Sequence, residues 1–389
     1  MKQYIVTATK LNKRRFPVTD LSDKTNITGT VFHGYTFLGE EIPEQANALG
    51  KWYRDRDGYY YWGGGVMESE TIPPSAAVSR TPVMNDFWFN ELGILKIWND
   101  FGEKGEQAKA LILDSGVNLS LKQISTAIEE PAKNFVPGSS SVNDTNPNFH
   151  GTHCASLIAA RDNARFIGAA PAAKLYIGRI TESGTLADSI AMKNALKEFL
   201  TDGYEFDIIS ISQTLVSDDP ELYYLIGQHL LKSRIVVASI GNDPELMNRA
   251  YKRYPGAYDN CFSVGSVKND RTLSLFSMNP AGTAIFCFGE NILSYKDTPE
   301  PKPLTGTSQA SAIVAGICCL VISFLKKNHF TYDSTAVRTL LTKYATTLPG
   351  INNILTICPL AVFDKLNLFK DYETKDLQSC LDADHPGSN

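Results

Sequence analysis

The feature that most constrains this chain is a series of short, unbroken apolar runs at residues 110–113, 175–180, 208–211, 235–239 and 262–267, separated by stretches of helix length. A strand with one face in water alternates apolar and polar residues, so runs that are apolar throughout have both faces covered, and in a parallel sheet helices do the covering. Helical periodicity falls at about 186–200 and 219–232, between the runs, and again at about 308–326 and 335–344 after them. This order predicts an α/β fold, a doubly wound and mostly parallel sheet. At 389 residues the chain exceeds one ordinary core, so a second, smaller domain is expected beside it.

That smaller domain is expected at residues 1–68. Alternating runs such as Tyr4 to Ala8 and Ile27 to Phe32, with the turn signal Arg56-Asp57-Gly58 between aromatic stretches, predict a small all-β unit. A Trp/Tyr surface there suits a glycan or peptide ligand, and equally suits the half-buried face of a small barrel. Paired prolines at 73 and 74 make residues 69–83 an extended linker. The main domain then occupies 84–369, and the polar, aperiodic residues 370–389 read as a flexible tail.

Charge and composition narrow the function classes. A net charge of -5 argues against nucleic acid as partner, and the basic run from Lys10 to Arg15 reads as a solvated edge. No uninterrupted apolar stretch nears the roughly 18 residues of a membrane span. The first residues lack the apolar core of a secretory signal, so a cytoplasmic location is expected. Seven cysteines, mostly inside apolar runs and without metal-site spacing, read as reduced core thiols.

Polar residues directly after buried strands hold the catalytic position of an open α/β sheet. Asp114 closes the run 110–113 and is followed by Ser115 and Gly116; it also suits a turn cap. His150 and His153 open an apolar helix three residues apart, a spacing that suits a metal but lacks further ligands. Ser308 precedes another buried helix, where a hydroxyl either caps it or meets free N–H groups at the positive end of the helix dipole. Asn242 ends the strand run 235–239 after Ile240 and Gly241 and also suits a turn.

Taken together, Asp114-Ser115-Gly116, His150-Gly151-Thr152-His153 and Gly306-Thr307-Ser308, in that order, resemble the three signature blocks of the subtilase (peptidase S8) family of serine proteases. The similarity runs from about Leu92 to Phe363, and residues 1–68 resemble a bacterial SH3-like (SH3b) domain. The resemblance implies a subtilisin-type fold and a serine endopeptidase. In it Ser308 is the nucleophile, His150 the general base and Asp114 its orienting partner. Asn242 and the Ser308 N–H form the oxyanion hole, and His153 is a structural neighbour. The implied partner is a protein or peptide substrate, held along Ser183, Gly184 and Thr185, along Ser212, Gln213 and Thr214, and by Ser239, Ile240 and Gly241.

The chain departs from the family pattern in four places. Gln213-Thr214-Leu215 replaces a usual Leu-Gly-Gly, which predicts a bulkier substrate wall and restricted substrate choice. Gln309 replaces a methionine beside the nucleophile, predicting resistance to oxidation, and Ala312 replaces a proline. The loop from Arg161 to Ile167 looks shorter than one that helps bind calcium in relatives, so structural calcium is left open and no cofactor is required for the chemistry. No segment resembles the usual inhibitory prodomain, so control is expected from the N-terminal domain, the linker or a recruited partner. A catalytically silent binding protein and a peptide ligase or macrocyclase remain the alternatives.

Overall fold

The computed structural model describes residues 2–384 apart from 7, 9, 24, 33–35, 43–49, 56–57, 69–86, 130–131, 163–164, 183–188, 202, 243–251, 279–284 and 349–350. The expected linker, the Arg56-Asp57 turn and the proposed substrate edge at Ser183, Gly184 and Thr185 lie outside the described residues. The chain divides into two compact units, Met1–Arg80 and Thr81–Asn389.

In the first unit, strands β1 (Lys2–Val6), β2 (Lys10–Arg14), β3 (Ile27–Phe32), β4 (Thr36–Glu41), β5 (Trp52–Asp55), β6 (Tyr60–Trp62) and β7 (Val66–Glu68) form one antiparallel sheet in the order β3-β2-β6-β5-β4-β1-β7. Its core is Tyr4, Val6, Leu11, Tyr61 and Val66. Tyr4 and Val6 are two apart, the spacing that puts side chains on one face of a strand. Arg14 is buried, and donates to the carbonyl oxygens of Asp23 and Leu21 and to Asn26 Oδ1, which replace the water its charge has lost.

The second unit opens with helices α1 (Phe87–Glu91) and α2 (Ile94–Asp100) and continues through β8 (Lys109–Asp114), α3 (Lys122–Ser125), β9 (Lys133–Asn134), α4 (His150–Ala159), β10 (Lys174–Arg179), α5 (Ser189–Leu200), β11 (Ile208–Ile211), α6 (Pro220–Leu230), β12 (Ile235–Ser239), β13 (Phe262–Val267) and β14 (Ile285–Phe288). A two-stranded ribbon of β15 (Ile292–Ser294) and β16 (Lys302–Leu304) follows. Then come α7 (Thr307–Lys327), α8 (Ser334–Lys343), β17 (Thr346–Leu348), β18 (Ile351–Thr356), α9 (Pro359–Phe369) and α10 (Leu377–Ala383).

The main sheet runs β17-β18-β14-β13-β12-β11-β8-β10-β9, parallel except for the β17–β18 pair. The chain leaves β8 to one side for β10 and returns to the other side at β11, so the order reverses at β8, where such folds open a crevice. Leu111 and Leu113 pack with Met192, Leu196 and Phe199 of α5 and Leu222 and Ile226 of α6. Ala110 and Ile112, equally buried, face the opposite side by the two-residue period, where α4 and α7 pack on each other and on the strands.

Helix α7 is long and apolar enough to cross a membrane by length and composition, but Ser311 and Ser323 interrupt its apolar run and its surface is buried against the sheet, as in a core helix. One expectation needs correction. Residues 370–384 are not a loose tail. Leu377, Cys380 and Leu381 fall at i, i+3 and i+4, bury one face of α10, and Leu377 N–H donates to the Thr331 carbonyl at 3.0 Å. All seven cysteines are free, and all but Cys358 are buried.

Candidate active site

The last residue of β8 is Asp114, buried at the point where the strand order reverses. The chain must turn at once, and Gly116 does so with φ of 107°, a conformation that favours glycine. A Cβ on Gly116 would fall 2.4 Å from the Val142 oxygen, and one on Gly151 would fall 2.3 Å from the Gly116 oxygen. Two glycines therefore let the end of β8 touch the first turn of α4.

A hydrogen-bonded clamp closes that contact. Ser115 Oγ donates to Asp144 Oδ1 at 3.0 Å and accepts from Gly151 N–H at 2.9 Å. Asp144 Oδ2 accepts from both Thr152 N–H and Thr152 Oγ, each at 2.8 Å. Asp144 thus caps α4 from outside its own helix, supplying acceptors to N–H groups that the first turn leaves unpaired. Burial pushes its carboxyl above the ordinary range, and the Thr152 and Ser115 donors pull the other way. Arg179, buried beside Asp114 in the β10–β8 register, donates to the Ser115 and Ser141 oxygens and to Thr145 Oγ, fixing the loop that carries Asp144.

His150, the first residue of α4, lies 2.8 Å from Asp114 Oδ1 through Nδ1. A carboxylate only accepts, so Nδ1 carries the proton and Nε2 is left as the basic nitrogen. Burial works to lower the imidazole's proton affinity, but the Asp114 carboxylate outweighs it and raises His150 well above 6.5. The Cys154 thiol, 4.0 Å from Nδ1, is pushed up from 9.0 by its own burial and stays neutral. Phe149, just before the histidine, takes a left-handed conformation at φ 51° and ψ 49°, a strained placement for a bulky residue. His153 lies one turn further on, buried, donating through Nε2 to the Ile292 and Lys302 oxygens of the ribbon; burial first, then the neighbouring His150, push it down to about 3.

Ser308 is the second residue of α7, where a backbone N–H has no partner inside the helix. Its hydroxyl donates to the Ser212 oxygen at 3.0 Å, while Ser212 Oγ donates back to the Ser308 oxygen at 3.2 Å. Cys154 Sγ lies 4.0 Å from both the Ser308 backbone carbonyl oxygen and His150 Nδ1, so the first turn of α7 and the histidine flank one sulfur. Asn242 follows β12, and its Oδ1 accepts from Thr307 N–H and Oγ, each at 3.0 Å. Two donors on one end identify the oxygen and leave Nδ2 turned to the Gly306 side, 3.0 Å from where a Gly306 Cβ would stand.

The remaining expected residues are divided. Ser239, Ile240 and Gly241 follow one another at the end of β12, with Ile240 N–H already bonded to the Val264 oxygen. Ser212, Gln213 and Thr214 directly follow β11, and all three are buried. The Gln213 side chain was expected to narrow the substrate wall. It points instead behind the catalytic-type pair: it is fully buried, and its Nε2 donates to Asp114 Oδ1 at 2.9 Å.

Ligand atoms of Asp114, His150 and Cys154 lie within 4.8 Å of one another, the spacing of a metal group among the described residues. The 2.8 Å from Nδ1 to Oδ1 is a hydrogen-bond length, whereas two ligands of a tetrahedral ion at about 2.0 Å stand about 3.3 Å apart. The trio is a hydrogen-bonded pair beside a thiol. Sequence reading had missed Asp144, Arg179 and Cys154. Of these Cys154 had a signal, four residues after His150 on the same helix face.

The subtilase family model matches residues 105–358. The chain is 33% identical over 271 residues to the major intracellular serine protease of Bacillus subtilis, covering 67% of this chain and 77% of that protein. It is 30% identical over 251 residues to subtilisin DY of Bacillus licheniformis, covering 64% and 86%. Subtilisin Savinase of Lederbergia lenta is 27% identical over 256 residues, 64% of this chain and 88% of that one.

Proposed function

This chain belongs to the subtilase family and is a subtilisin-like serine endopeptidase, and from that premise we propose that Ser308 is its nucleophile, His150 the general base and Asp114 the residue that orients the base. The observation that carries the assignment is the 2.8 Å Asp114–His150 hydrogen bond, with Ser308 at the start of a buried helix whose Ser308 carbonyl oxygen touches the same Cys154 sulfur as His150 Nδ1. The Ser308 hydroxyl donates to the Ser212 backbone carbonyl oxygen. A turn about χ1 from one staggered well to another redirects it, and such hydrogen bonds commonly form only with substrate in place.

The steps then balance without a cofactor. Ser308 Oγ attacks the scissile carbonyl carbon while His150 Nε2 takes its proton, and the Asp114 carboxylate stabilises the imidazolium. Asn242 Nδ2, on the amide end opposite the Thr307 contacts, and the Ser308 N–H at the first turn of α7 receive the developing oxyanion. His150 returns the proton to the leaving amine as the C–N bond breaks. Water repeats the sequence, breaking the acyl–Ser308 bond and releasing a carboxylic acid.

The substrate is a protein or peptide. By the family resemblance Thr214 and Leu215 stand in place of a usual Gly-Gly, which supports restricted substrate choice, because a Cβ keeps a substrate backbone at a distance. The name of the Bacillus subtilis relative puts that protein inside the cell, which supports a cytoplasmic location here. The N-terminal sheet is read as an SH3-like unit that recruits or regulates. Mass spectrometry of the products on a defined peptide tests the reaction: hydrolysis in ¹⁸O-water puts one heavy oxygen in the new carboxylate. A joined or cyclised product without that oxygen contradicts it.

A further inference from the structure

The geometry points to Gln213 as a positioning residue that sets the direction and the charge of Asp114 toward His150, an inference that rests on the roles just proposed for that pair. The side chain is fully buried, and its Nε2 lies 2.9 Å from Asp114 Oδ1 and 3.2 Å from His150 Nδ1. An ionised carboxylate accepts and cannot donate, so the nitrogen end of the amide is the end that faces it.

Three donors therefore converge on one oxygen: Ser115 N–H at 2.7 Å, His150 Nδ1–H at 2.8 Å and Gln213 Nε2–H at 2.9 Å. The other oxygen, Oδ2, is buried and accepts nothing among the described residues. With all its bonds on one side, the carboxylate has its plane set by Ser115 and Gln213, and the imidazole takes the remaining direction. The 3.2 Å contact between Gln213 Nε2 and His150 Nδ1 is then an approach of two donors that share an acceptor, not a bond between them.

Sharing has an electrostatic consequence. Each donor neutralises part of the negative charge that stabilises imidazolium. The groups facing His150 are Asp114 from β8, Gln213 after β11, and Cys154 and His153 from its own helix, with Asp144 beyond Ser115. Burial keeps Cys154 and His153 neutral, so the Asp114 carboxylate is the acidic group hydrogen-bonded to the ring. Removing the Gln213 donor leaves Asp114 acting more fully on His150, while its orientation is less defined.

The test is Gln213→Met in the full chain, which keeps length and volume and removes both donors. With a peptide substrate, kcat falls about tenfold, the equivalent of one hydrogen bond to a charge, and KM stays within about twofold. The midpoint of the acid limb of kcat/KM moves to higher pH. Raised KM with unchanged kcat makes Gln213 a substrate-pocket wall and overturns the inference, as do an unchanged kcat and midpoint. A second measurement needs neither this variant nor turnover. In ¹⁵N-glutamine-labelled Ser308→Ala protein, one side-chain amide pair exchanges slowly with solvent and shifts along the His150 titration. If no glutamine amide follows that titration, the inference is wrong even where labelling of Ser308 shows the proposed catalytic roles to be right.

Discussion

At His150, burial and the Asp114 carboxylate oppose each other, and the carboxylate prevails. In the proposed mechanism the neutral ring is the base, so activity should be lost as pH falls through a proton affinity raised above 6.5. A plot of kcat/KM against pH should rise to a midpoint above that value; a midpoint near 5, or a flat profile, contradicts the assignment. Asp144 acts on the turn that carries His150, through Ser115 and Thr152. Asp144→Ala leaves the Thr152 and Ser115 donors unpaired in a buried site, and should cost about 2–4 kcal/mol of stability in denaturant titration, with a fall in kcat larger than any change in KM. The placement of Asp114, His150 and Ser308 at the ends of buried elements was legible in the sequence because each is a polar residue at the edge of an apolar run. Gln213 was misread for a physical reason. Position after a strand says where a backbone emerges, but not whether a long side chain enters the cleft or folds behind it.

The elements that matter most at this site are the ends of β8 and β12 and the first turns of α4 and α7. The approach of β8 to α4 depends on the absence of a side chain at Gly151, whose Cβ would meet the Gly116 oxygen at 2.3 Å. Gly151→Ala must push the His150 turn away from Asp114. Calorimetry should show a lower Tm, and turnover should fall even though no catalytic group has been removed. At the start of α7, Asn242→Ala removes a side-chain donor, and kcat should drop with KM nearly unchanged; the expected 10²- to 10³-fold is the magnitude known for subtilisin itself. A matching loss in KM alone would make Asn242 a binding residue. The buried strands were readable because continuous apolar runs have few other uses. The clamp of Ser115, Asp144 and Thr152 was not, since short polar residues in a loop look alike until their partners are known. The same holds for α10, whose three apolar residues are too few to stand out from a polar tail.

Across the whole molecule, the second unit carries the entire sheet, the helices on both its faces and every residue of the proposed chemistry, while the first has its own sheet and core. A chain beginning at Thr81 should therefore still fold and turn over a short peptide, any change in rate measuring the regulation proposed for the first unit, because each unit has a core of its own. A loss of folding on truncation, followed by circular dichroism, contradicts that independence. The account stands on one chemical claim, that Ser308 is made nucleophilic by His150 held on Asp114. Labelling the folded chain with a fluorophosphonate and mapping the adduct by peptide mass spectrometry tests it most directly. The expected result is a single adduct on Ser308, absent in Ser308→Ala and strongly slowed in His150→Ala. No adduct on the folded protein, or one on another residue, contradicts it.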